Sequence, residues 1–198
     1  MYDSSFNKLT LGRMLITKDF FDWPIIKDDH VRRVLIEKAI ESANTSFNNL
    51  NPLVTFKKKG KSIYKIRRLS DALVIRKLCA NLIQASKVQQ QNRDAIVTNL
   101  SKLVEEGVPY RIYRLDIKNF YESFSHELVI KKINALVKLN PTSKKIISDL
   151  INLHAGSGGQ GLPRGLAISA SLSELLMSDF DNEIELTPEF RIPSVARL

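Results

Sequence analysis

The chain has 198 residues, of which 43% are hydrophobic, and its net charge is +9 because 30 Lys and Arg outnumber 21 Asp and Glu. This size allows one domain with a real core or two small subdomains, and the charge favours a polyanionic partner. The single cysteine, Cys79, excludes an internal disulfide and suggests a reducing compartment. A polar N-terminus is unlike a signal peptide, and no apolar run reaches membrane-span length, so we expect a cytoplasmic protein with no membrane partner.

The first part of the chain predicts a helix, a hairpin and a second helix. Apolar residues recur at helical spacing from His30 to about Asn48. Two β-rich runs then flank Lys59-Gly60, which predicts a hairpin with glycine at the turn. Ser70 and Asp71 are alternative N-caps for a helix that runs through Leu82.

The hairpin is strongly basic, with seven Lys and Arg and no acid between residues 57 and 68. Strand alternation predicts two faces. One face holds Lys61, Ile63, Lys65 and Arg67, and the other holds Ser62, Tyr64, Ile66 and Arg68. A run of this kind is often only a solvated face, and the alternative is a surface that contacts phosphates.

The second part of the chain predicts helices around one strand. Asn92 is a suitable N-cap for a helix that ends near Gly107, and a strand follows over 110–116. Ser125 and Asn140-Pro141 each begin a further helix. A loop over 155–164 then leads into a long helix from about Gly165 to Glu185.

Residues 111–124, RIYRLDIKNFYESF, are the most informative stretch. The strand pattern ends at one carboxylate, Asp116, and a turn with two adjacent aromatics follows, Phe120 and Tyr121. A carboxylate at a strand end can present its oxygens to a divalent metal ion. The alternative to a metal site is a strand that ends at a surface aspartate with no role in binding.

A second stretch, residues 159–177, reads GQGLPRGLAISASLSELLM. A loop containing glycine and proline opens a helix whose first turns carry small residues, and small residues let a nucleic-acid backbone or a base pair approach closely. The nearby letters GSGGQG at 156–161 fit a dinucleotide-binding pattern, but no βαβ unit surrounds them and no P-loop lysine follows. The histidines show no zinc spacing and are interpreted as surface or helix-end residues.

Together the two stretches resemble the reverse transcriptase superfamily, whose palm carries a D-[IL]-K-x-[FY]-[FY] segment and, about forty residues later, Q-G-x-P-x-G-x-x-x-S. The variant GLPRGLAISASLSE looks most like bacterial antiviral-defence reverse transcriptases. The resemblance implies an α+β fold made of polymerase right-hand fingers and a partial palm, mostly helical with a basic β-hairpin and a short palm sheet. It implies an N-terminal helical extension over 1–50, fingers over 51–108, a partial palm over 109–186 and an irregular tail over 187–198.

The resemblance also implies roles for individual residues. Asp116 is the catalytic carboxylate and binds Mg²⁺, or Mn²⁺, with help from the backbone carbonyl of Ile117. Tyr121 excludes the ribose 2′-hydroxyl, which favours deoxynucleotides. The residues expected to contact the nucleotide are Phe120, Tyr121, Gln160, Gly161, Pro163, Arg164, Gly165 and Ser169. The residues expected to contact phosphates of an RNA or DNA template-primer are Lys61, Lys65, Arg67, Arg76 and Arg93.

The family's second catalytic motif, [YF]-x-D-D, does not occur in this sequence. We therefore expect the sequence to cover the fingers and half of the palm, without the thumb. A truncated or frameshifted gene product, an expressed fragment and one piece of a split protein all fit this pattern, and a partner chain could supply the remaining palm. The alternative function is a catalytically inactive module that binds nucleic acid or assembles with other chains.

Overall fold

The computed structural model describes residues 2–47, 50–88, 93–107 and 116–186, and shows an α+β fold that is mostly helical, as predicted. Within these ranges, 3₁₀ turns lie at Pro24–Lys27 and Phe120–Ser123. The α-helices in these ranges are α1 Lys8–Gly12, α2 Thr17–Asp22, α3 Asp29–Asn44, α4 Leu69–Ser86, α5 Arg93–Glu105, α6 His126–Ala135, α7 Pro141–Gly156 and α8 Ala167–Leu186. The strands are β1 Leu53–Lys58 and β2 Lys61–Ile66.

Two predicted helix starts are confirmed by their caps. The Ser125 hydroxyl accepts a hydrogen bond from the Leu128 N–H at 3.2 Å, and the Asn140 side chain accepts one from the Ser143 N–H at 2.7 Å. Each cap satisfies a backbone donor that the first helical turn leaves unpaired. The Asn92 cap and most of the strand predicted over 110–116 lie outside the described residues.

The predicted start of α4 is wrong by two to three residues. Arg68 is the N-cap, so Ser70 and Asp71 lie inside the first turn. The Asp71 side chain is fully buried and accepts a hydrogen bond from Nε of Arg68 at 2.9 Å. Asp71 is therefore not the N-cap, because it lies within the first turn, where its carboxylate pairs with the N-cap residue Arg68.

The hairpin has the turn that its sequence predicts. β1 and β2 pair antiparallel, with Lys58 opposite Lys61, so Lys59 and Gly60 alone form the connection. Both have positive φ, 50° and 74°, which is the type I′ geometry that matches the twist of paired strands. Of β2, Tyr64 is buried and Ile66 is half-buried, whereas Lys61 and Lys65 are exposed.

Helix α4 is the centre of the packing. It contacts α1, α3, α7, α8 and β2, and one continuous core joins these elements. Leu11 and Phe47 from the first fifty residues lie in the same core as Leu78 of α4 and Leu172 of α8. The N-terminal helices are therefore packed into the structure that carries the glycine-rich segment.

A short N-terminal strap, residues 2–5, is bonded to this core by polar side chains. The buried Lys77 ammonium lies 4.4 Å from the centre of the Tyr2 ring and donates a hydrogen bond to the Asp3 carbonyl at 2.5 Å. The Ser4 carbonyl accepts hydrogen bonds from the side-chain amides of Asn81 and Asn140 at 2.9 and 2.6 Å. The strap thus connects α4 with the start of α7.

Candidate functional site

The two motif stretches identified in the sequence are in direct contact. We call residues 157–166, which precede α8, the glycine loop. The Leu162 N–H in this loop donates a hydrogen bond to the Tyr121 carbonyl in the 3₁₀ turn at 2.8 Å. On its other side, the loop accepts a hydrogen bond at the Arg164 carbonyl from the Tyr64 N–H of β2, also at 2.8 Å. The hairpin, the glycine loop and the aromatic turn therefore form one junction.

Two glycines of the loop are required by the protein's own packing. Gly161 has φ +63°, and a Cβ there would lie 2.1 Å from the Tyr121 carbonyl oxygen. Gly165 has φ +100°, and its Cβ would lie 2.7 Å from Cγ2 of Ile63 and 2.9 Å from the Tyr64 carbonyl. The need for glycine at these two positions is thus explained by the backbone and side chains of the turn and hairpin, and the close approach of nucleic acid to the small residues around Gly165 stays a prediction.

Two histidines, His126 and His154, pack beside the glycine loop. Their interpretation as surface or helix-end residues is incomplete, because both also contact residues of this site. His154, near the end of α7, is 1% exposed and makes an edge-on contact with the Tyr64 ring at 4.7 Å between centroids. Burial, and secondarily the nearby His126, lowers the pKa of His154 below its ordinary value. His126, at the start of α6, hydrogen-bonds the Gly161 carbonyl through Nε2 at 2.9 Å.

An ion pair joins the aromatic turn to the glycine loop. The Arg164 guanidinium donates two hydrogen bonds from Nη2 to the Glu122 carboxylate, at 2.8 and 3.0 Å, and one from Nε at 3.2 Å. Burial alone would raise the pKa of Glu122, but hydrogen bonds from Arg164 and from the Glu122 backbone, together with the charges of Arg164 and Lys61, lower the pKa overall. The same guanidinium lies 5.3 Å from the centre of the Tyr121 ring.

The aromatic turn itself is compact. Asn119 takes a left-handed conformation, φ 52° and ψ 48°, which asparagine adopts more readily than most residues. The Phe120 ring packs edge-on against Tyr121 at 5.3 Å and against Phe124 at 5.1 Å. Phe120 and Tyr121 are both half-buried, so each retains an accessible portion.

The other loop residues predicted to contact a nucleotide divide by burial. Gln160 is exposed, whereas Gly161 and Pro163 are buried in the junction. Ser169 is fully buried and donates its hydroxyl to the Pro163 carbonyl at 2.8 Å, so the predicted nucleotide contact of Ser169 is corrected to a hydrogen bond that closes the loop. The accessible part of this motif consists of Gln160, Gly165 and part of Arg164.

Asp116 and Ile117 lie immediately before the aromatic turn, and both are exposed. One carboxylate and one backbone carbonyl are suitable ligands for a Mg²⁺ ion that keeps several waters. Two-ion catalysis needs a larger acidic cluster. Among the residues that the structure describes, no group of three His, Cys, Asp or Glu side chains is close enough to hold a metal. The described donors therefore fit a single partial Mg²⁺ site and do not fit a two-ion centre.

The basic residues predicted to contact phosphates are placed differently from one another. Lys61, Lys65 and Arg67 are exposed on the hairpin, with the Lys65 ammonium 5.0 Å from the centre of the Phe56 ring. Arg76 is corrected to a structural residue, because its guanidinium binds both oxygens of the buried Asp19 carboxylate at 2.6 and 2.8 Å. Arg93 begins α5, and its side chain is not among those described.

Sequence reasoning missed Glu122, His126 and His154 as parts of this site. A signal for the first was present, since Glu122 follows Tyr121 in one motif and Arg164 stands inside the other. The histidines carried no comparable signal, because a histidine near a helix end is usually exposed.

Comparison of the chain with protein-family models, with curated proteins and with solved structures found no match. Within the described ranges, no helix combines the length and the apolar character needed to cross a membrane.

Proposed function

We propose that this chain carries the fingers and the first part of the palm of a reverse-transcriptase-type nucleotidyltransferase, an RNA-directed DNA polymerase of a bacterial antiphage-defence system. One observation carries the proposal: the two motif stretches, about forty residues apart, are joined by the hydrogen bond between the Leu162 N–H and the Tyr121 carbonyl. A chance match of two short patterns would not explain why the two stretches are in contact, whereas a shared nucleotide site would explain it.

The basic hairpin supports the same proposal. It is attached to the glycine loop through the Tyr64 N–H, so its exposed face with Lys61, Lys65 and Arg67 belongs to the same junction. Lysine and arginine on an exposed strand suit template phosphates, which fix the position of a duplex without reading its sequence. In this proposal, the Asp116 carboxylate and the Ile117 carbonyl would hold Mg²⁺ (or Mn²⁺), and Tyr121 would contact the sugar of the incoming deoxynucleotide.

The remaining metal ligands are assigned to residues outside the described ranges or to a partner chain. Mg²⁺ would supply electrostatic stabilisation of the triphosphate. A second candidate is an inactive module that binds nucleic acid or assembles with another chain, and the exposed basic residues of the hairpin support its nucleic-acid binding equally.

Binding is tested by fluorescence anisotropy with a labelled RNA–DNA primer-template over a salt titration. Replacing Lys61, Lys65 and Arg67 with Gln should weaken binding to all sequences and flatten the slope of log affinity against log salt by about two to three. The matched control replaces Lys38, Lys138 and Lys145, three exposed lysines elsewhere in the fold, and makes the same charge change. Equal loss in both triple variants would show that the hairpin acts only through net charge.

Catalysis is tested by primer extension with the gene product that contains this chain. Incorporation of deoxynucleotides should require Mg²⁺ and should vanish in Asp116→Asn, whereas Asp22→Asn, the same change at another exposed aspartate, should leave it intact. Binding with no extension by the gene product would support the inactive module. Extension that survives Asp116→Asn would refute the assignment of the catalytic carboxylate.

A further inference from the structure

Arg164 stands where the glycine loop meets the aromatic turn, and its charge is already neutralised. Three hydrogen bonds of 2.8 to 3.2 Å join its guanidinium to the Glu122 carboxylate. Both side chains are mostly removed from solvent, with 25% of Arg164 and 31% of Glu122 exposed. A nucleotide phosphate would have to displace Glu122 to reach this guanidinium, so the structure does not support the direct nucleotide contact expected from the motif.

The guanidinium has a second contact, which is with Tyr121. Its central carbon lies 5.3 Å from the ring centroid, within the range in which an arginine is attracted to an aromatic ring. The forked donors pair with Glu122 while the planar group remains beside the ring. Lysine offers a point charge without that plane, so it could replace the ion pair but not both contacts.

The backbone on both sides of these contacts is fixed. The Arg164 carbonyl accepts the Tyr64 N–H at 2.8 Å, and the Tyr121 carbonyl accepts the Leu162 N–H at 2.8 Å. Gly161 lies so close to the turn that a Cβ would meet the Tyr121 carbonyl at 2.1 Å. The ion pair therefore connects two anchored segments and holds the guanidinium beside the Tyr121 ring, which also packs against Phe120 and the core.

We propose that Arg164, held by Glu122, is a positioning residue that sets the orientation of the Tyr121 ring and thereby the discrimination between deoxyribose and ribose. The role in sugar discrimination rests on the proposed polymerase function. The role in ring orientation does not, because it depends only on contacts inside this chain.

Ring orientation is tested in the chain itself, by ¹⁹F NMR after incorporation of 3-fluorotyrosine, with the Tyr121 signal assigned from Tyr121→Phe. In the unmodified sequence, Tyr121 should give one signal displaced from that of free fluorotyrosine. Arg164→Gln should move it toward the free value and broaden it, and Arg164→Lys should restore it only in part. The exchanged variant Glu122→Arg/Arg164→Glu restores the ion pair but moves the guanidinium to the aromatic turn. The connection between the glycine loop and the turn should therefore recover, whereas the Tyr121 signal should not return to its position in the unmodified sequence.

Sugar discrimination is tested in the gene product by single-nucleotide incorporation. Arg164→Gln should lower the preference for deoxynucleotides by about three- to tenfold, the range expected from losing one cation–aromatic contact. Its effect should appear in the ratio of ribonucleotide to deoxynucleotide kcat/KM more than in binding of the primer-template.

The two measurements separate the possible failures. An unchanged Tyr121 signal in correctly folded Arg164→Gln would overturn the positioning role, independently of the result of the incorporation assay. A changed signal with unchanged discrimination would overturn the selectivity role alone. A gene product that extends no primer would refute the proposed function and the selectivity role with it, while the NMR result would still decide the ring orientation.

Discussion

Replacing Gly161 with alanine tests whether the glycine loop and the aromatic turn are as closely apposed as the structure shows. An alanine with φ +63° costs about 1–2 kcal/mol for the left-handed backbone alone. Its Cβ would also lie 2.1 Å from the Tyr121 carbonyl oxygen and 2.7 Å from Cα of Glu122, so loop and turn must separate. Separation breaks the hydrogen bond from the Leu162 N–H to Tyr121, which contributes about 1 kcal/mol.

We therefore expect Gly161→Ala to lower the free energy of unfolding by about 3 kcal/mol. The measurement is urea denaturation followed by circular dichroism. The loop provides a matched control in Gly158, which has φ +80° but no atom within 4 Å of the added Cβ. Gly158→Ala should carry only the backbone cost, about 1–2 kcal/mol. Equal destabilisation by the two substitutions would refute the close apposition of loop and turn.

Three further predictions concern buried polar groups. Asp19→Asn should destabilise the fold by about 2–3 kcal/mol, because it leaves the Arg76 guanidinium without its counter-charge, whereas Glu37→Gln at the exposed pair with Lys8 should cost under about 0.5 kcal/mol in the same urea titration. The pKa of His154 in the folded state lies below its unfolded value of 6.5, so the folded state binds fewer protons than the unfolded state. The free energy of unfolding should therefore have its full value above that pH and decrease below it. His154→Gln should reduce this decrease between about pH 7.5 and 5.5. Burial raises the pKa of the Cys79 thiol to about 12, so its alkylation at pH 8 should be on the order of a hundredfold slower in the folded than in the urea-unfolded chain, and a rate near that of the unfolded chain would contradict the packing of this half-buried residue against the core.

Most of the local structure in the described ranges follows from sequence signals with a direct physical cause. The Lys59-Gly60 turn needs two residues that tolerate positive φ, and the Ser125 and Asn140 caps need a side-chain acceptor just before an apolar repeat. These requirements are local, so the sequence predicts them. The start of α4 is different because the sequence offers Ser70 and Asp71 as caps, whereas the helix begins after Arg68, which makes no side-chain cap hydrogen bond and pairs with the Asp71 carboxylate.

The site was predicted less completely, because its residues come from distant parts of the chain. The motifs identified the aromatic turn and the glycine loop, but nothing in either motif states that Arg164 binds Glu122 or that His154 lies beneath the loop. The sequence predicts that Arg76 contacts a phosphate, because its partner Asp19 lies 57 residues away in the chain and is evident only in the folded structure. The role of a charged residue depends in particular on its ion-pair partner in the folded chain, since a paired guanidinium is not available to a ligand.

The N-terminal strap has a practical consequence for work on this protein. The Ser4 carbonyl and the Tyr2 side chain are hydrogen-bond partners of Asn81, and Asp3 accepts from the buried Lys77 ammonium, whose pKa is lowered chiefly by that burial. Deleting residues 2–5 would remove both acceptors of the Lys77 ammonium and one of the two acceptors of the Asn81 amide, at a cost that the position of these residues in the sequence does not suggest. Shortened versions for crystallisation or for domain mapping should therefore keep the strap.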